Sequence, residues 1–185
     1  MNNDITDITK VLNFWFTKPI CDHWFSSTPN IDQQITEGYE SIWQQAKAGE
    51  FDSWKSTADG CLALCILLDQ LPLNMFRSSA KSFSTEQQAV AIAKHAINTG
   101  LDEEISNNRV AFLYMPLMHS ENMDDQDLAV SCFEKTKLEG NLQFSKHHRG
   151  IVAEFGRFPH RNEALGRESS PAEIEYLNSD KAFTG

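Results

Sequence analysis

One stretch of the chain, residues 60–71, reads G-C-L-A-L-C-I-L-L-D-Q-L and is apolar on all sides before Asp69. A helix that is hydrophobic all round is normally buried at the centre of a protein. We therefore predict a central buried helix here. We expect Pro72 to end it, because proline lacks the N–H that an internal helical position needs.

The segments on both sides of this helix carry apolar residues at a helical spacing. None of them shows the alternation of apolar and polar residues that a strand of useful length requires. Helices are therefore predicted, in chain order, over residues 5–16, 31–48, 84–100, 102–117, 124–140 and 142–155, with a short last helix over residues 170–177.

Capping signals set several of the predicted helix ends. Ser84 followed by Gln87 predicts a capping box at a helix start, and Gly100 predicts the end of the same helix. Gly140 is expected to end the next helix but one. Residues 170–173 read S-P-A-E, a full signal for a helix start with a cap, an early proline and a glutamate at the third position.

These patterns together predict the fold class. We expect an all-α protein of about eight helices, joined by short connections into antiparallel hairpins. A chain of 185 residues fits one domain, so residues 1–185 are interpreted as a single helical domain.

The charge of the chain is strongly acidic and unevenly distributed. There are 16 Lys or Arg against 26 Asp or Glu, a formal net charge of −10. A general nucleic-acid binder draws most of its affinity from neutralising phosphates, so this balance argues against a nucleic-acid partner. Residues 145–167 are the exception, with five Lys or Arg and two Glu. A basic segment on an acidic body suits a small anion.

The cysteines and the N-terminus bear on the cellular compartment. Four cysteines are present without a C-x-x-C pair, and three of them lie in apolar helical runs. The first residues are polar and acidic, unlike a signal peptide. The longest apolar run, residues 61–68, is too short to cross a bilayer. We expect a cytoplasmic protein without a structural disulfide and without a membrane partner.

Polar residues first interrupt the apolar pattern at the end of the central helix. Burying the carboxylate of Asp69 or the amide of Gln70 there without a partner would cost about 1–3 kcal/mol each. Arg77 is the nearest candidate to pair with Asp69, and Asn74 lies between the two. We interpret the pair as a structural lock, and a catalytic role for Asp69 stays open.

A second polar segment, residues 114–121, contains Pro116, which is expected to kink or end its helix. His119 can act as an acid or base near neutral pH, and Glu121 is predicted to orient it. The same two side chains offer two metal ligands. The structural alternative is that His119 bonds a backbone carbonyl while Ser120 and Glu121 cap a helix end.

A third candidate lies in the penultimate helix. His148 shares a helical stripe with Phe144, Ile151 and Phe155, so it is predicted to face the core or the wall of a pocket. A histidine on an apolar face is more often a hydrogen-bonded core residue than a ligand.

The fourth candidate is the basic loop, residues 156–167. Guanidinium groups bind carboxylates and phosphates through two parallel hydrogen bonds, so this loop predicts an anion site. An equally weighted alternative is that these groups bridge helix ends and acidic faces of the same chain. The polar and basic residues of the loop are Arg157, His160, Arg161, Asn162 and Arg167.

Several motifs, in order along the chain, resemble one bacterial family. They are V-L-N-F-W-F (residues 11–16), L-L-D-Q-L-P-L-N-M-F-R (67–77), F-L-Y-M-P-L-M-H-S-E (112–121), F-G-R-F-P-H-R-N (155–162) and L-G-R (165–167). The chain is similar over nearly its whole length to the bacterial domain-of-unknown-function family 924. That resemblance implies an all-α fold related to tetratricopeptide-repeat (TPR) proteins, a right-handed helical array, and brings no activity. The chain departs from the family pattern at Leu73 and Glu154, where an arginine is usual.

Three functions fit these patterns. The first is a binding module for a small anionic molecule or a peptide tail. Its pocket would be lined by Asp69, Asn74, Arg77, Arg109, Tyr114, His148, Arg157, His160, Arg161, Asn162 and Arg167.

The second function is a hydrolase or lyase that uses His119 and Glu121, with His148 or His160 as a second base or a metal ligand. The third is an oligomeric scaffold, with a homodimer among its forms, in which the polar corners are structural locks. The sequence contains no recognised cofactor or metal motif, so none is predicted.

Overall fold

The computed structural model describes residues 2–183, with side chains from Asp7 onward. Within this range the chain forms eight α-helices and no strand, which confirms the all-α prediction. The helices are α1 Asn2–Phe16, α2 Pro29–Lys47, α3 Ala58–Met75, α4 Glu86–Thr99, α5 Asn107–His119, α6 Met123–Lys135, α7 Glu139–Phe155 and α8 Pro171–Leu177.

The central helix is α3, as the apolar stretch predicts. Its residues from Cys61 to Leu68 are at most 2% exposed. It packs against α1, α2, α4 and α5, so the core of the protein surrounds it. Along the chain, α3 also contacts α4, α4 contacts α5, α5 contacts α6, and α6 contacts α7. The right-handed TPR-like array remains a prediction.

The expectation that Pro72 ends α3 is wrong. The helix opens into one π-helical turn, Ile66–Gln70, and then continues through Pro72 to Met75. A proline in a regular helix collides with the carbonyl four residues earlier, which here belongs to Leu68. In the wider π turn the Leu68 oxygen instead accepts a hydrogen bond from Thr85 Oγ1 at 2.6 Å.

The helix α3 is therefore longer than the apolar run that it contains, residues 61–68. By length and composition alone, its 18 residues (mean hydropathy 1.2) suffice to cross a membrane, and 78% of them are buried within the fold. Burial of that extent is typical of the core helix of a folded domain.

Some predicted helix ends are confirmed. Gly100 ends α4 in the left-handed conformation, with φ of 74°. Gly156 ends α7 in the same way, with φ of 71°. Ser170 and Glu173 form the predicted capping box at the start of α8.

Other predicted ends are wrong. The Ser84–Gln87 capping box does not form, because Thr85 is the N-cap and uses its hydroxyl on α3. Gly140 does not end α6, which stops at Lys135; it lies in the first turn of α7. Pro116 lies inside α5 without ending it.

Candidate functional site

The site begins with a contact between the π turn of α3 and the last residue of α5. Nδ1 of His119 lies 2.9 and 3.0 Å from the two carboxylate oxygens of Asp69. The Asp69 side chain is 4% exposed and that of His119 is 18% exposed. We call this pair the Asp69–His119 dyad.

The partners of Asp69 fix the tautomer of the imidazole. Gln70 Nε2 donates to Oδ2 of Asp69 at 2.5 Å, which holds the carboxylate in place. Because a carboxylate only accepts hydrogen bonds, the neutral imidazole carries its proton on Nδ1 and its lone pair on Nε2. Among the described residues, Nε2 of His119 has no hydrogen-bond partner.

The predicted pairing of Asp69 with Arg77 is wrong. Nε of Arg77 lies 3.0 Å from Oδ2 of Asp32 on α2, and Asn74 Nδ2 donates to Oδ1 of the same carboxylate at 2.8 Å. The π turn separates the two groups, because Asp69 faces α5 whereas Asn74 and Arg77 lie beyond the turn and face α2.

The prediction that Glu121 orients His119 is also wrong. The Glu121 carboxylate accepts two hydrogen bonds from Arg167, at 2.7 and 2.9 Å, and one from the backbone N–H of Phe158 at 2.8 Å. Burial raises the pKa of Glu121, but these hydrogen bonds and the charge of Arg167 outweigh burial, so its pKa is lowered. Glu121 anchors the basic loop to the end of α5.

Arg161 of the basic loop reaches the dyad from the other side. Its NH2 group donates to the backbone oxygen of His119 at 2.8 Å, and NH1 donates to Glu86 Oε2 at 2.7 Å. Its guanidinium carbon lies 4.5 Å from the ring centroid of Phe83 and 4.7 Å from that of Phe158. Burial raises the pKa of Glu86, and the charge of Arg161 offsets part of this effect.

Two further histidines lie beside the dyad. The His148 ring centroid is 6.4 Å from that of His119, and its Nδ1 lies 2.8 Å from the backbone oxygen of Phe144. Burial, followed by the charge of His119, lowers the pKa of His148 to about 3. Burial, followed by the charge of Arg161, lowers the pKa of His160 to about 4. Both imidazoles are therefore neutral at neutral pH.

The structure places the remaining predicted site residues elsewhere. The Tyr114 hydroxyl donates to Asp102 at 2.7 Å, and the guanidinium carbon of Arg109 lies 4.8 Å from the ring centroid of Phe16. Neither contact involves the dyad.

Two residues of the basic loop face the last helix. Arg157 makes two hydrogen bonds to the carboxylate of Glu173, at 2.6 and 2.8 Å. Asn162 Nδ2 donates to the hydroxyl of Ser169 at 3.0 Å. The predicted residues that come together are Asp69, His119, Glu121, His148, His160, Arg161 and Arg167.

Sequence reasoning missed three residues of the site: Glu86, Phe158 and Phe183. Glu86 stands in the first turn of α4, where an acidic residue is explained by the helix dipole alone. No local signal distinguishes the two phenylalanines from core residues.

Two cavities lie away from the dyad. One of about 320 Å³ lies between α2, α3 and α4, beside Leu64 and His95. One of about 640 Å³ lies between α7 and α8, beside His147 and Tyr176. In the part of the chain that the structure describes, no group of three or more His, Cys, Asp or Glu residues is arranged to hold a metal ion.

A comparison with protein families confirms the resemblance that the motifs indicate. Residues 11–181 match the family described as "Bacterial protein of unknown function (DUF924)". The chain belongs to this family.

A solved structure supports the fold of this DUF924 member. It is described as "Structure of Protein of Unknown Function ATU0120 from Agrobacterium tumefaciens". The two chains are 34% identical, with a TM-score of 0.87, and the similarity covers 94% of this chain and 98% of that one. A comparison with curated proteins gives no match.

Proposed function

We propose that this protein is an enzyme in which His119, oriented by Asp69, transfers protons as a general acid–base. The observation that carries the proposal is the dyad itself, with Nδ1 held by a buried carboxylate and Nε2 without a hydrogen-bond partner among the described residues. A base of this kind contributes about 10²–10⁴-fold to a rate when it is correctly placed.

The chemistry follows from the lone pair on Nε2. In a hydrolysis, Nε2 takes a proton from water while the water oxygen attacks the substrate, and the imidazolium then returns that proton to the leaving group. In a lyase reaction, the same atom removes a proton from carbon, the C–H electron pair forms a double bond as the bond from the neighbouring carbon to the leaving group breaks, and the imidazolium protonates the departing group. In both reactions Asp69 stabilises the positive charge that forms on His119.

Binding of a small anion is the other function considered from the sequence, and it has less support. The guanidinium groups of Arg77, Arg157, Arg161 and Arg167 each lie within 3.0 Å of a carboxylate oxygen of the same chain. An anionic ligand would have to displace one of these carboxylates. We therefore favour the catalytic function.

The test is a panel of chromogenic esters, anilides and phosphate esters, assayed with wild type and with His119→Gln. We expect wild type to turn over at least one class, and we expect kcat/KM in the variant to fall by about 10²-fold or more. Gln retains the backbone oxygen that Arg161 contacts, so the fold should persist.

The matched control is His95→Gln, which alters an exposed histidine bonded to the backbone oxygen of Lys55. It should keep wild-type kcat/KM. A wild type that turns over no member of the panel, or a His119→Gln variant as active as wild type, would contradict the proposal.

A further inference from the structure

Four aromatic side chains beside the dyad form a closed ring of contacts. His148 contacts Phe158 and Phe183, with centroid distances of 5.5 and 4.4 Å, and His160 contacts the same two rings at 5.6 and 5.0 Å. Phe183 meets His148 and His160 edge to face, at interplanar angles of 61° and 83°. Phe183 thus packs against both imidazoles, and both imidazoles also contact Phe158. We call the space that the Phe183 ring occupies beside these three residues the cleft.

Phe183 reaches this cleft on a weakly held segment. Residues 178–181, between α8 and the ring, are exposed. Within the described residues, the hydrogen bonds of 178–183 go to α8 or to the segment itself, ending with the Phe183 N–H donating to Tyr176 Oη at 2.9 Å. The Phe183 ring is the part of the segment that contacts His148 and His160, so it can leave without breaking hydrogen bonds to α5 or α7.

The walls of the cleft are suited to an uncharged aromatic ring. Burial keeps His148 and His160 neutral at neutral pH, and Phe158 is fully buried. Edge-to-face contacts between aromatic rings stabilise a bound ring beyond the effect of the area that they bury. Nδ1 of His160 is buried without a hydrogen-bond partner among the residues that the structure describes, so it is available to a polar group beside an incoming ring.

The cleft also lies next to the dyad. The His148 ring, one wall of the cleft, has its centroid 6.4 Å from that of His119. A ring held between His148, Phe158 and His160 would therefore place a bond attached to it close to the dyad.

We propose that His148, Phe158 and His160 form the subsite that holds an uncharged aromatic group of the substrate, and that Phe183 occupies this subsite when substrate is absent. The assignment of the bound group as part of a substrate rests on the proposed catalytic function of His119. The cleft itself is defined by ring geometry alone.

The experiment measures binding and needs no turnover. N-acetylphenylalaninamide, which imitates Phe183, is titrated into wild type and Phe183→Ala while the imidazole C–H signals of His148 and His160 are followed by NMR. We expect the Kd to be lower in the variant by about tenfold, because wild type must first release its own ring. Phe144→Ala, which alters an exposed ring of α7, should bind as wild type does.

A second probe distinguishes a subsite that prefers aromatic rings from a cavity that binds any apolar group of similar size. N-acetylcyclohexylalaninamide has a similar size without an aromatic face, and we expect it to bind Phe183→Ala about fivefold more weakly. Equal binding of the two probes, equal Kd in wild type and Phe183→Ala, or unmoved signals of His148 and His160 would each overturn the proposal.

Two further variants complete the test. If Phe183→Ala does not fold, Phe183→Leu keeps apolar bulk and should show the same ranking of the two probes. His119→Gln should bind the phenylalanine probe as wild type does. A wild type that binds the phenylalanine probe but turns over no ester, anilide or phosphate ester of the panel would contradict the catalytic proposal and leave the subsite standing.

Discussion

At the scale of single residues, burial sets the protonation of the histidines around the dyad. His148 is 3% exposed, and adding a proton to it would place a charge among Phe158, Phe183 and the His119 ring. The site therefore combines one imidazole that is oriented for proton transfer with two that remain neutral.

The pKa of His148 predicts a loss of stability in acid. Its pKa is 6.5 when unperturbed and about 3 in the folded protein. As pH falls from 6.5 toward 3, the unfolded chain binds a proton that the folded chain does not, so the free energy of unfolding decreases by about 1.4 kcal/mol per pH unit for this group. Above pH 6.5 the group has no effect.

His148→Phe removes this titration and keeps an aromatic ring in place. Urea unfolding of wild type and variant between pH 6.5 and 4 should give a shallower decrease in the variant, by about 1.4 kcal/mol per pH unit. Parallel pH profiles for the two proteins would show that folding does not lower the pKa of His148.

At the scale of elements, the π turn of α3 decides which polar residues enter the site. Sequence reasoning placed α3 correctly, because an all-round apolar pattern is a strong local signal. It placed the end of α3 wrongly, because the hydroxyl that accommodates Pro72 comes from Thr85, 17 residues from the Leu68 carbonyl that it bonds. No residue close to Pro72 in the sequence indicates that a hydroxyl so far along the chain will bond the Leu68 carbonyl.

Thr85→Val tests the role of this hydroxyl. The change keeps the shape of the side chain but removes the hydrogen bond to Leu68 and the one that Thr85 accepts from Trp43 Nε1 at 3.1 Å. Both groups are buried, so we expect the free energy of unfolding to decrease by about 1–3 kcal/mol in urea denaturation.

Ser84→Ala is the neighbouring control. Its hydroxyl makes an exposed bond to the Lys81 backbone and does not cap α4, so we expect a change within about 0.5 kcal/mol. If the free energy of unfolding decreased more in Ser84→Ala than in Thr85→Val, the result would support the capping box predicted from the sequence.

At the scale of the whole molecule, three distant segments converge on the dyad. Asp69 and His119 are 50 residues apart, and Arg161 pairs with Glu86 across 75 residues. The residue types of the site could be predicted, since His119 and the basic loop carry recognisable chemistry. Their partners could not, because sequence reasoning chose neighbours, Glu121 for His119 and Arg77 for Asp69, whereas packing of the helices brought together groups from separate segments.

Arg161→Met tests this long-range connection. Arg161 is 6% exposed and Glu86 12% exposed, so removing the guanidinium leaves a buried carboxylate without its partner. We expect the free energy of unfolding to decrease by about 3–5 kcal/mol, with part of the loss restored in the double variant Arg161→Met, Glu86→Met.

Arg149→Met is the control for Arg161→Met, because it removes an arginine from an exposed ion pair. Arg149 pairs with Asp127, and the two side chains are 42% and 54% exposed, so its loss should cost less than about 1 kcal/mol. Equal losses for Arg149→Met and Arg161→Met would mean that the Arg161–Glu86 pair is not buried in solution.

The tautomer of His119 tests the central claim most directly. Two-bond ¹⁵N–¹H NMR spectra of the imidazole, recorded at alkaline pH where the ring is neutral, report which nitrogen carries the proton. We predict a proton on Nδ1 and a bare Nε2 in wild type, and a shift toward the Nε2–H form in Asp69→Leu, which cannot accept the Nδ1 proton. A wild-type His119 that carries its proton on Nε2, or a tautomer that Asp69→Leu leaves unchanged, would contradict the account.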